Sequence, residues 1–190
     1  MNGAVTFSLA LGASLVGLLA GAVVIKQTEK DAVFQSGEAG DCQNVHWSPR
    51  SLPVLIYLDP SASAWEVEVR AAMDEWDPYH HLLLWAGPLR TGEASVRDPV
   101  VIVDANDSAR YGSTQSFWNL ECHTRRALVH LPGKLRSDDP VRQRATTHEI
   151  GHALGLGHSQ VETDVMYLRA ISPNYRIAAS ELERVQGEVK

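Results

Sequence analysis

The sequence predicts an α+β fold, and three observations carry that prediction. One short β-favouring run followed by a helical stripe opens the folded part; several more apolar runs of strand length come next; a second helical stretch and a short third one close the chain. With 190 residues, 44% hydrophobic and 21% charged, the chain has the composition of a globular protein and the length of one domain with an appendage.

The elements follow in order. Leu52 to Leu58 is apolar and β-favouring and is closed by Asp59-Pro60, so it reads as a strand and a turn. Ser63 and Glu66 have the spacing of a capping box, and Trp65, Val69, Ala72, Met73 and Trp76 recur at helical spacing until Asp77-Pro78. That stripe is core. Leu82 to Trp85, Val100 to Val103 and Ala127 to Leu131 are further strand candidates bounded by Gly, Pro or Asp. Asp139-Pro140 announces the second helix, with Asp139 as N-cap, running to about Leu154 before Gly155 and Gly157 break it. Ser180 caps a last short helix in which Leu182 and Val185 face inward.

From Ala4 to Ile25 no side chain is charged, and these 22 residues would extend roughly 30 Å as a helix. Residues 1–25 therefore read as a signal peptide or an N-terminal membrane anchor; Ala20-Gly21-Ala22 offers a cleavage site, and both readings stay open. Residues 26–41 are polar and read as a linker, and the folded domain is expected over 42–190. Lys26 and Lys30 after the apolar stretch would hold the rest of the chain in the cytoplasm. The cysteines argue the other way: Cys42 and Cys122 are an even pair suited to one disulfide in an oxidising compartment. An extracytoplasmic location, secreted or membrane-anchored, is the expectation. The net charge of −6 leaves no basic surplus for phosphate backbones, so nucleic acid is not an expected partner.

The chemistry is concentrated in His148-Glu149-Ile150-Gly151-His152-Ala153-Leu154-Gly155-Leu156-Gly157-His158. Histidines four apart on a helix aim at one point, a two-pronged grip for zinc. Glu149 is rotated about 100° from His148, beside the metal but outside its ligand set, where a general base for a metal-held water belongs. Gly155 lets the chain turn so that His158 can return as a third ligand, leaving one coordination position open as in catalytic rather than structural zinc sites.

His148-Glu149-x-x-His152-x-x-Gly155-x-x-His158 resembles the metzincin zinc signature, and Asp164-Val165-Met166-Tyr167 resembles the Met-turn of the same superfamily. The wording from His152 to Ser159 and at Met166-Tyr167 is most similar to the matrixins. The resemblance implies a twisted mixed sheet packed against two long helices, a short C-terminal helix, one catalytic zinc, Met166 as an apolar floor beneath it, and hydrolysis of polypeptides by a monomer. Three departures limit it. No Pro-Arg-Cys-Gly motif offers a cysteine switch, no His/Asp cluster between Asp98 and His130 offers a second zinc, and Leu168 stands where some relatives carry a metal-reaching Tyr.

His46, His80, His81, His123 and His130 are expected to be bystanders. Asp104, Asn106, Asp107, Asp138 and Asp139 leave calcium as an option, though such residues more often cap turns. Two rivals remain: a zinc-binding interaction or adhesion protein without turnover, against which Glu149 argues, and a zinc hydrolase of small amides or esters.

Overall fold

The computed structural model describes residues 34–35, 42, 45–78, 81–90, 99–106, 112–168 and 174–187. The apolar stretch 4–25 lies outside them. Among the described residues no helix is long and apolar enough to cross a membrane.

Among the described residues, seven strands form one sheet: β1 Phe34–Gln35, β2 His46–Trp47, β3 Val54–Leu58, β4 Leu83–Pro88, β5 Val100–Asn106, β6 Ser113–Trp118 and β7 His123–Pro132. The order is β1-β6-β7-β5-β3-β4, with β2 added to β7. The central pairs β3/β4, β3/β5 and β5/β7 are parallel, whereas β6/β7 and β1/β6 are antiparallel. The sheet is therefore mixed, as expected, and its antiparallel part lies at one edge. β1 falls within the stretch expected to be a linker.

Side chains on β3 alternate, so Val54, Ile56 and Leu58 are buried on one face. The chain then enters a 3-10 turn, Pro60–Trp65, and α1, Glu66–Trp76. The expected capping box at Ser63 does not form. Asp59 takes the cap instead, accepting from the Ser61 amide at 2.9 Å, because Pro60 fixes the first turn three residues earlier. Trp65, Val69, Ala72, Met73 and Trp76 are all buried, as their spacing predicts. Asp77 ends α1 and accepts from the amides of His81, Leu82 and Leu83, starting β4.

The second helix, α2, spans Arg142–Ala153. Asp139 does cap, but it holds the Val141 amide in the turn before the helix, so α2 begins later than the sequence predicts. The α1 and α2 helices are bolted together by the Trp76 indole donating to Thr147 O at 2.7 Å and by the Arg142 guanidinium, 3.7 Å over the Trp65 ring and paired with Glu68. The last helix, α3, spans Ala179–Gly187; Ser180 lies inside it, and Glu181 accepts from the Ala178 amide at its start. Val185 is buried and Leu182 packs on the core, as predicted.

Cys42 and Cys122 form a disulfide, as the even count predicts. It fastens the segment before β2 to the turn between β6 and β7.

Candidate metal centre

α2 carries His148, Glu149 and His152 near its end, where the helix must stop abruptly for His158 to return. Gly155 provides the stop. It takes φ +95°, a conformation that costs residues with a Cβ, and the amides of Gly155 and Leu156 donate to the carbonyls of His152 and Gly151, closing the helix in a Schellman arrangement. Trp47 donates its indole N–H to Ala153 O at 2.8 Å and satisfies another terminal carbonyl.

The loop brings the three imidazoles together. One ring nitrogen from each of His148, His152 and His158 lies within 4.8 Å of the others, with His148 buried, His152 half-buried and His158 exposed. Among the described residues this is the one such cluster of metal-ligating groups. His148 Nδ1 donates to Val165 O at 2.8 Å and His152 Nδ1 donates to Leu156 O at 2.7 Å. Each ring therefore keeps a bare Nε2 lone pair for the site, the orienting bond that metal-ligating histidines require. His152 Nε2 and His158 Nε2 stand 3.2 Å apart. Two nitrogens on one tetrahedral zinc would lie roughly 3.3 Å apart, so the donor set fits that ion.

Burial dominates the electrostatics. It lowers the His148 pKa and pushes His152 down to about 4, keeping both rings neutral. It also raises Glu149 to about 7, against the opposing effects of the Thr114 hydroxyl and His130. Met166 is fully buried under the helix, and a Cβ on Gly151 would run into its sulfur and come within 2.7 Å of the Trp76 ring. Met166 is thus packed directly against the helix that carries His148 and His152.

The turn that carries Met166 is clamped from three sides. Arg144, buried one turn before His148, donates to the carbonyls of Glu162 and Asp164. Asp164 accepts from Ser159 Oγ at 2.8 Å and from Arg176 Nε at 3.2 Å, and Ser159 N donates to Met166 O. Beside the histidines, Tyr175 Oη donates to Glu75, which also accepts from Gln143 and Thr147. Sequence reading missed Arg144, Thr114, Glu75 and Tyr175; only Arg144, four residues before His148 and so on its face, left a visible signal.

The bystander histidines stay apart from the cluster. His130 pairs with Asp104 at 2.7 Å, His46 meets His123 edge to face, and His80 lies outside the described residues. The acidic side chains considered for calcium have protein partners: Asp104 has His130, Asp138 has Arg136, and Asp139 caps a turn, whereas Asp107 lies outside the described residues. Nothing in them supports calcium.

The matrixin family profile matches residues 102–186, the stretch that holds β6, β7, α2 and the Met166 turn, so this part of the chain is similar to the matrixins, and with the histidine cluster it supports a zinc metallopeptidase. Among solved structures, the chain is similar to an archaemetzincin from Methanopyrus kandleri, at 17% identity over 76% of this chain and 96% of that one, with a TM-score of 0.45. No curated protein matches its sequence.

Proposed function

We propose that the chain is a zinc-dependent endopeptidase, in which His148, His152 and His158 hold the ion and Glu149 is the general base. The observation that carries this reading is the closure of one ring nitrogen from each of three histidines within 4.8 Å, with the buried Glu149 carboxyl on the same helix as two of them. When bound, zinc supplies a Lewis-acidic charge that polarises a carbonyl and makes water easier to deprotonate. Glu149 takes the proton from the attacking water and passes it to the leaving amine, a double duty suited to a carboxyl raised to about 7 in the metal-free chain. His148 and His152 stay neutral and fixed by their carbonyl partners, and Met166 excludes water from below. No side-chain nucleophile is required.

A polypeptide substrate is favoured over a small amide by β6. Among the described residues, β1 pairs with the outer edge of β6 only at Phe117 and Trp118, and an extended strand added alongside Ser113 to Ser116 would run beside Glu149. The disulfide supports a location outside the cytoplasm, secreted or anchored through residues 1–25, with 42–190 as the catalytic domain.

The test is cleavage of an unstructured protein such as casein. The chain should cleave it, a chelator should stop it, and Glu149→Gln should lose at least about a thousandfold in kcat while still binding zinc. A Gln variant as active as the parent would sink the assignment of Glu149.

A further inference from the structure

The β6 strand touches Glu149 at two places that the proposed mechanism does not use. Gly112, just before the strand, and Thr114, its second residue, are two apart and so share a face. Thr114 Oγ1 lies 2.8 Å from Glu149 Oε2 and 2.9 Å from Glu149 O. Gly112 approaches so closely that a Cβ there would stand 2.6 Å from both Cγ and Oε1 of Glu149.

We infer that Thr114 is the positioning residue for the Glu149 carboxylate, and that Gly112 provides the room that placement needs; the inference rests on Glu149 being the general base. A glutamate has three side-chain rotors, and a general base must stay within hydrogen-bond reach of one proton. Thr114 is suited to hold it. Its β-branched side chain has few rotamers, and its backbone is locked opposite Val129 in the β6/β7 ladder, so the hydroxyl is presented from a rigid element. With Oε2 bonded to the hydroxyl and Oε1 against Gly112, the strand fixes the plane of the carboxylate as well as its distance. A purely structural role, in which the hydroxyl only ties β6 to the Glu149 carbonyl, would appear in stability and leave turnover alone.

The experiment compares Thr114→Val, Thr114→Ser and Gly112→Ala in the full chain, with Glu149→Gln as reference. Thr114→Val should lower kcat by about ten- to hundredfold, the worth of a hydrogen bond to a charged group, with KM within about twofold of the parent. Thr114→Ser should recover most of that loss. Gly112→Ala should lower kcat in the same way by displacing the carboxylate. Zinc affinity, read by competition with a chelating dye, should stay within about threefold of the parent in all three, since no imidazole partner is touched. If Thr114→Val does not fold, Thr114→Ala against Thr114→Ser makes the same comparison. The inference is overturned by a Thr114→Val kcat equal to the parent's, by Val and Ser variants equally impaired, or by a loss confined to KM. An active Glu149→Gln would instead overturn the general-base reading beneath it.

Discussion

The Glu149 carboxyl is held neutral by burial at pH values where an exposed glutamate is ionised, and this has a sign that can be measured in the metal-free protein. Its pKa rises from 4.5 to about 7 on folding, so between those values the folded chain binds the proton and the unfolded chain does not. Glu149 therefore favours the fold fully below pH 4.5 and loses that contribution as pH rises towards 7. His152, pushed down to about 4, acts oppositely between about 4 and 6.5. Because the parent and Glu149→Gln share His152, the difference between them isolates the glutamate. Denaturant titrations with chelator present should show the Gln variant gaining on the parent as pH rises from about 5 to about 7, by up to about 3 kcal/mol. A pH-independent difference would mean that the carboxyl ionises freely in the folded chain. His148, Glu149, His152 and Gly155 could all be read from sequence because they lie within two turns of one helix and its cap. Thr114 could not, because it meets Glu149 across 35 residues of sequence through a strand register that no local spacing encodes.

At the scale of elements, β6 is the longest of three strands, with β1 and β2, that the sequence concealed. Ser113-Thr114-Gln115-Ser116 carries no apolar side chain, and it is a strand because β7 pairs with it, not because of its own pattern. The loop after His158 was legible in its Met166 and not in its clamp, for a similar reason: the partners Arg144, Asp164 and Arg176 come from three segments brought together only by folding. Arg144 is the member whose loss should be felt most. It is nearly fully buried, and replacing it with Met leaves the carbonyls of Glu162 and Asp164 without that donor while roughly preserving volume. Arg144→Met should cost about 2 to 4 kcal/mol in denaturant unfolding. It should also weaken zinc binding about tenfold or more, since the clamped segment supplies the Val165 carbonyl that orients His148. If stability falls and zinc affinity does not, the clamp holds the loop without setting the imidazole.

Across the whole molecule, the α+β class and most of the core follow from apolar spacing, but the strand order and the mixture of parallel and antiparallel pairs do not. Strand pairing depends on which edges meet after collapse, and β3, β5 and β7 meet out of sequence order. The disulfide is the clearest long-range constraint that the sequence announced, and its position separates two functions of the fold. It joins residues 80 apart at the β6–β7 turn, whereas the histidines are oriented by Val165 and Leu156 in the loop after α2. A Cys42→Ser, Cys122→Ser double variant should therefore lose stability and keep its metal. Closing a loop of that length limits the unfolded chain by about 4 to 5 kcal/mol in the chain-entropy picture, and the denaturation midpoint should fall accordingly. Zinc affinity of the variant, measured under conditions where it remains folded, should match the parent's. If it instead falls along with stability, the sheet edge and the metal centre are one cooperative unit, and the segment before β2 helps to hold the imidazoles in place.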